Sequence, residues 1–222
     1  MTEVTEMANK IFISSTDKDF LKFVLTKFGE GGEYFVKDTV IKEISSDDTK
    51  LLEKKSVGSE YFATASRIKI LLTDCDGCLT DGGMYYTENG DEMKKFNAHD
   101  GMAFNMLRAA GIICGIVTGE ARDLNTRRAR KLKLDICLGG VTDKLSAVKQ
   151  VAKDHGLTLE EICYIGDDIN DTEVLKNVGF ACCPADACSD VIKVSGFVTS
   201  VAGGRGVIRE VAELILQNKN KL

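Results

Sequence analysis

The hydrophobic pattern changes character near residue 67. Beyond it, short apolar runs recur: Ile70 to Leu72, Ile112 to Val117, Ile136 to Leu138, Ile162 to Ile165, Phe180 to Cys183 and Phe197 to Thr199. They show little polar alternation, which suits strands covered on both faces, as in a parallel sheet. Helical periodicities fill the gaps. Asp100-Gly101 precedes a helix with Ala103, Phe104, Leu107 and Ala110 on one face, stopped by Gly111. A basic helix runs from Ala121 to Lys131, and Lys144 to His155 carries an apolar stripe of Leu145, Val148, Val151 and Ala152. Thr158 and Glu161 have capping-box spacing. Further helices run to Asn177, near Ala187 to Lys193, and after Gly203-Gly204-Arg205-Gly206. Strands alternating with helices predict an α/β fold with a doubly wound parallel sheet. One segment breaks the rhythm. Gly82 to Tyr86 and Glu92 to Phe96 flank Asn89-Gly90, the signature of a protruding β-hairpin.

Residues 1–66 read as a separate, small α+β extension, with 67–222 as the main domain. Lys10 to Ile13 predicts a strand. Leu21, Val24, Leu25 and Phe28 fall at helical spacing in Thr16 to Phe28, which Ser15 or Thr16 can cap and Gly29 can end. Tyr34 to Ile44 holds one or two strands around Lys37-Asp38-Thr39, and a charged helical segment runs from Ser45 through Lys55. No chemical motif falls in this extension.

Composition narrows the function classes. A formal net charge of -5 over 222 residues argues against a nucleic-acid binder, which carries a basic face. No apolar run approaches the roughly 20 residues of a membrane span. Without a secretory h-region the expected compartment is reducing and cytoplasmic. Eight cysteines then read as structural thiols, not disulfides or zinc ligands. Cys75-x-x-Cys78 has a metal-like spacing and Cys182-Cys183 with Cys188 forms a second group, but paired zinc spacing is absent. Cys114, Cys137, Cys163 and Cys182 lie in apolar stretches, where free cysteine is usually buried.

Candidate chemistry sits where predicted strands end. Asp74-x-Asp76-Gly77 follows the first buried strand, at the edge of the sheet where open α/β folds bind ligands. Asp and Gly also favour ordinary turns, so the pair alone fixes nothing. Thr118 ends a second strand, Lys144 opens a helix, and Asp167, Asp168 and Asp171 follow the strand Ile162 to Ile165. Phosphoryl transfer needs such a set: a nucleophile, an acid/base, a cation-binding carboxylate group and fixed donors for phosphate oxygens. Asp74 is the candidate nucleophile and Asp76 the acid/base. Asp74, Asp167 and the Asp76 carbonyl could ligate magnesium. Asp168 and Asp171 would orient its surroundings, and Thr118 and Lys144 would hold phosphate.

Asp74-Cys75-Asp76-Gly77-Cys78-Leu79-Thr80-Asp81-Gly82, Val117-Thr118-Gly119, Lys144 and Gly166-Asp167-Asp168-x-Asn170-Asp171 resemble the four motifs of the haloacid dehalogenase-like phosphatases. Phe96, Asp100-Gly101, Gly203-Gly204-x-Gly206 and Arg209-Glu210 are similar to the capless subgroup acting on phosphates of 2-keto-3-deoxy sugar acids. That subgroup holds octulosonate 8-phosphate and nonulosonate 9-phosphate phosphatases and the C-terminal domain of some CMP-sialate synthetases. The likeness spans about residues 67–217. It implies a Rossmann-like sheet, a magnesium cofactor, a small anionic sugar-phosphate substrate and a homotetramer. In that tetramer the hairpin near residues 82–97 helps to cap a neighbour's site. It also implies that Glu120, after the Thr-Gly pair, favours the nonulosonate, since octulosonate phosphatases usually carry Arg there. Arg128 and Lys131 occupy the positions of that branch's basic residues. Lys131 is then expected to neutralise Glu120, and Arg128 or Arg205 to meet a sugar carboxylate. His99 could touch substrate or serve the structure. Two other readings stay open: a non-catalytic tetramerising module serving a sugar-nucleotide synthetase, and a phosphomutase using the same aspartyl chemistry.

Overall fold

The computed structural model describes residues 64–90 and 92–219, together with the backbone of four strands nearer the N-terminus. The chain divides into two units, Met1–Tyr61 and Phe62–Leu222. In the first, β1 (Glu3–Met7) pairs antiparallel with β2 (Lys10–Ser14). β2 runs parallel to β3 (Tyr34–Val36), which pairs antiparallel with β4 (Thr39–Ile41). The expected strand at Lys10 and the pair around Lys37-Asp38-Thr39 are therefore present. β1 was not expected, because it has no apolar run. The helices expected over Thr16 to Phe28 and Ser45 to Lys55 lie outside the described residues.

The second unit is built on β5 (Ile70–Thr73), a strand with no exposed residue. A two-stranded ribbon, β6 (Tyr85–Tyr86) and β7 (Glu92–Met93), follows. Then come α1 (Ala98–Ala109), β8 (Ile113–Val117), α2 (Asp123–Leu132), β9 (Ile136–Leu138), α3 (Lys144–Asp154) and β10 (Ile162–Ile165). α4 (Thr172–Leu175), β11 (Phe180–Cys183), α5 (Ser189–Val194), β12 (Phe197–Val198) and α6 (Val207–Lys219) complete it. The large sheet has the order β12-β11-β10-β5-β8-β9, and every pairing is parallel. This is the doubly wound α/β fold that the pattern predicts.

The pleat explains the apolar runs. Ile70 and Leu72 share one face with Val148 and Val151 of α3, Val174 of α4 and Val191 of α5. Leu71, between them in the pleat, points to the opposite face. A strand buried on both faces leaves no position for a polar residue, so alternation disappears. Polar residues return where the strands end. The chain leaves β5 toward β8 and β9, then returns to β10 on β5's other side. The crevice between β5 and β10 is thus the topological switch point, the usual ligand position in such sheets.

Some local expectations change. α1 starts at Ala98, and the Asn97 side chain accepts from the His99 N–H as its cap. Asp100 and Gly101 therefore lie in its first turn, not before it. Ala110 ends that helix exposed, and α2 begins at Asp123 rather than Ala121. All eight cysteines are free, but Cys137 is exposed. The reason is position: β9 is the edge strand, and one of its faces is open.

Candidate active site

β5 delivers Asp74 to the crevice, where its N–H donates to the Ile165 carbonyl of β10 at 2.8 Å. A wide turn over Cys75–Leu79 follows, closed by Thr80 N–H on the Cys75 carbonyl at 3.0 Å. Gly77 makes the turn possible. Its φ is +84°, and a Cβ there would collide with the Asp167 carboxylate. The turn brings the loop after β5 against the acidic loop after β10, with the Cys78 thiol 3.5 Å from Asp167 Oδ1. Gly203 and Gly204 seal it from behind, with Gly204 N–H donating to Cys78 O at 3.0 Å.

Asp74, Asp167 and Asp171 each bring one carboxylate oxygen to within 4.8 Å of the others. Asp74 Oδ1 accepts from Cys75 N–H at 2.7 Å, and its Oδ2 lies 3.0 Å from Lys144 Nζ. Asp171 is fully engaged. Its Oδ1 accepts from Lys144 Nζ and Tyr164 OH, both at 2.7 Å, and its Oδ2 from the N–H groups of Asp167 and Asp168 at 3.1 and 3.4 Å. Among the described residues, Asp167 Oδ1 has only the Cys78 thiol, at 3.5 Å.

The electrostatics match this inventory. Burial, then the nearby Asp171 charge, pushes Asp74 up to about 6 against the pull of Lys144. Burial, then the charges of Asp74 and Asp171, pushes Asp167 up to about 7. Two buried carboxylates and the half-buried Asp167 crowd around one lysine, and a divalent cation is the group that relieves their repulsion. Asp74 and Asp167, with oxygens not fully committed, suit the ligand role; Asp171 suits a bracing role.

Thr118 stands at the end of β8, 2% exposed. Its Oγ1 accepts from Glu120 N–H at 3.3 Å, leaving the hydroxyl proton for another acceptor. Gly119 lies between them, and a Cβ there would meet the Val141 carbonyl at 3.8 Å. Lys144, at the first position of α3, is 2% exposed. Asp76 projects beside the crevice. Its Oδ2 lies 2.7 Å from Lys94 Nζ, and Thr80 Oγ1 reaches its Oδ1 at 3.4 Å.

Other expected residues fall elsewhere. Asp168 is exposed and caps the next turn through Ile169 N–H at 2.7 Å. Lys131 is exposed and does not neutralise Glu120. That partner is Lys94, 2.7 Å away from Glu120 Oε2. The helix carries Lys131 away from the β8 loop, whereas the hairpin returns Lys94 to it. Arg128 lies over the Phe96 ring at 4.9 Å and donates to the Asn97 carbonyl at 3.1 Å. Arg205 and His99 are exposed. Sequence reading passed over Lys94 and Tyr164, and also Asn125, whose Oδ1 accepts from the Cys75 thiol at 3.3 Å. Polar residues in an apolar strand (Tyr164) or on a buried helix position (Asn125) were the available signals.

At the switch point between β5 and β10 the fold gathers Asp74, Asp76, the buried Lys144 and the acidic cluster of Asp74, Asp167 and Asp171. The haloacid dehalogenase-like hydrolase family matches residues 120–211. The 3-deoxy-D-manno-octulosonate 8-phosphate phosphatase KdsC of Escherichia coli (strain K12) is 35% identical over 166 residues, 75% of this chain and 88% of that protein. The Moraxella catarrhalis 3-deoxy-D-manno-octulosonate 8-phosphate phosphatase was solved with magnesium, phosphate and KDO. It superposes with a TM-score of 0.72 at 36% identity, over 73% of this chain and 94% of that one. The cobalt-bound deoxy-D-mannose-octulosonate 8-phosphate phosphatase of Haemophilus influenzae gives 0.69 at 34% identity, over 71% and 92%. The chain belongs to the haloacid dehalogenase-like hydrolases. Within them it is a phosphoric monoester hydrolase, which removes the non-catalytic module from consideration.

Proposed function

We propose that the protein is a magnesium-dependent phosphatase for the phosphate monoester of a 2-keto-3-deoxy sugar acid, with nonulosonate 9-phosphate preferred and octulosonate 8-phosphate next. The relatives that act on octulosonate 8-phosphate support the sugar-acid class. Glu120, following Thr118-Gly119 where octulosonate phosphatases usually carry Arg, supports the nonulosonate. The acidic cluster of Asp74, Asp167 and Asp171 is the observation that carries the metal-assisted reading.

In this mechanism Asp74 attacks phosphorus while Asp76 gives its proton to the departing alkoxide. An aspartyl phosphate forms on Asp74. Asp76 then takes a proton from water, the resulting nucleophile attacks phosphorus, and inorganic phosphate leaves with Asp74 restored. Thr118, Gly119 N–H and Lys144 hold phosphate oxygens. Asp74, Asp167 and the Asp76 carbonyl would hold magnesium, which when bound neutralises phosphate charge. Asp171 fixes Lys144; Asp168 supports the loop.

Residues 67–222 form the catalytic domain in this reading, with 1–66 appended. A homotetramer through the hairpin fits the exposure of Met84 (40%), Tyr85 (46%), Tyr86 (60%) and Met93 (59%) on an isolated ribbon. Such apolar ribbons are marginal alone and mark contact surfaces. Light scattering should give four chains; a monomer would remove the shared cap. Eight free thiols fit a reducing, cytoplasmic setting. Among the described residues no helix is long and apolar enough to cross a membrane.

The deciding assay is phosphate release with magnesium from nonulosonate 9-phosphate, octulosonate 8-phosphate and hexose phosphates. The expected kcat/KM is highest for the nonulosonate and well above the hexose phosphates for both sugar acids. Equal values for all three would overturn the sugar-acid assignment. Glu120→Arg should move the ratio toward the octulosonate; an unchanged ratio removes Glu120 from substrate choice.

A further inference from the structure

We infer that Lys94 is a positioning residue that aims the Asp76 carboxylate, and that Glu120 holds Lys94 in place to do so. The inference rests on the proposed role of Asp76 as acid/base.

Lys94 follows β7, so the hairpin returns it to the crevice from outside the sheet. Its Nζ lies 2.7 Å from both Asp76 Oδ2 and Glu120 Oε2. Its side chain is 0% exposed, against 20% for Asp76 and 36% for Glu120. The ammonium is thus the most enclosed member of the trio. An exposed ion pair is weakened by solvent and by the entropy of ordering a long side chain. Enclosure and two anchors remove much of both penalties here. Lysine also suits this position, because a compact cation with three donors can serve carboxylates arriving from different loops.

Asp76 depends on this contact. Its other oxygen has Thr80 Oγ1 at 3.4 Å, a long bond. Asp76 also lies in a turn, with φ -85° and ψ 125°, where no helix fixes its side chain. Proton transfer to a leaving oxygen needs hydrogen-bond reach, and a misplacement of about 1 Å can cost about 100-fold. Lys94 therefore ties the turn after β5, the hairpin and the loop after β8 into one arrangement. Glu120 acts through Lys94 as well as facing the crevice itself.

The test separates aim from general integrity by leaving group. kcat/KM covers the steps up to leaving-group departure. An alkyl phosphate monoester needs a proton on its leaving oxygen, whereas p-nitrophenyl phosphate releases a stabilised anion. In magnesium buffer, Lys94→Met should lower kcat/KM about 100-fold for the alkyl ester and less than about threefold for the nitrophenyl ester. Lys94→Arg should recover at least about a tenth of wild-type activity on the alkyl ester. Glu120→Gln should show the same pattern with a smaller loss, and the double variant should be no worse than Lys94→Met. Equal losses on both esters, or none, would overturn the inference. If Lys94→Met does not fold, Glu120→Gln and Lys94→Arg carry the same comparison. Wild-type protein inactive on every monoester would instead sink the proposed function, and Asp76→Asn without a leaving-group pattern would sink the role of Asp76.

Discussion

Lys144 Nζ stands 2.7 Å from Asp171 Oδ1, with the two side chains 1% and 0% exposed. Asp171 is the better-satisfied partner, because Tyr164 and two backbone N–H groups also donate to it. Removing Asp171 leaves Lys144 with Asp74 alone and takes the acceptor from Tyr164 OH and from two backbone N–H groups. Asp171→Ala should therefore cost about 3–5 kcal/mol of stability, read from urea unfolding. It should also cripple turnover, since Lys144 loses its brace. A loss below about 1 kcal/mol would mean that water replaces the carboxylate at no cost.

Asp74→Asn should abolish phosphate release without destabilising the protein. The carboxylate is buried beside Asp171, and that environment pushes its pKa up to about 6. Neutralising it removes repulsion that the fold otherwise carries. The thermal midpoint in metal-free buffer should stay equal or rise. Substantial residual turnover would exclude Asp74 as the nucleophile.

Cation binding should weaken as pH falls. Burial first, then the Asp171 charge, pushes Asp74 up to about 6; burial first, then the charges of Asp74 and Asp171, pushes Asp167 up to about 7. Below those values the cation must displace protons. Each displaced proton lowers affinity about tenfold per pH unit. Titration calorimetry with magnesium from pH 8 to 5.5 should show this, together with proton release. EDTA should stop turnover at any pH and magnesium restore it. An affinity independent of pH would contradict carboxylate ligation by this pair.

Asp100 gives a stability prediction outside the site. It is 1% exposed, its Oδ1 accepts from Arg209 N–H at 3.0 Å, and its Oδ2 is buried without a partner among the described residues. Burial, only partly offset by the bonds from α6, raises its pKa from 3.8 to about 6. The folded state then holds a proton that the unfolded state releases between those values. Stability from this group is present below pH 3.8 and declines as pH rises through 6, by up to about 3 kcal/mol. The stability of wild type relative to Asp100→Asn should fall by about that amount between pH 4 and pH 7. Denaturant unfolding at several pH values checks it; a constant difference would show that Asp100 titrates alike in the folded and unfolded states.

The α/β class, the order of strands along the main domain and the candidate polar groups at strand ends are legible in the chain alone. These features are local. Burial on both faces removes alternation from Ile70 to Thr73, and the first polar residue after such a run, Asp74, marks where the sheet opens. The hairpin was legible for the same reason, through Asn89-Gly90. Which side chains meet is a property of the folded sheet and its loops. Lys131 is eleven residues along from Glu120 and basic, yet helix α2 leads it into solvent while the hairpin brings Lys94 to within 2.7 Å. Asp171 could have been a plain cap; four hydrogen bonds from three places in the fold make it a brace. Cys137 and Cys163 lie in similar apolar runs, but β9 is an edge strand and β10 a central one. Patterns along a chain report how much of an element is buried. Pairing depends on which loops share a crevice, and that is set by the order of strands in the sheet.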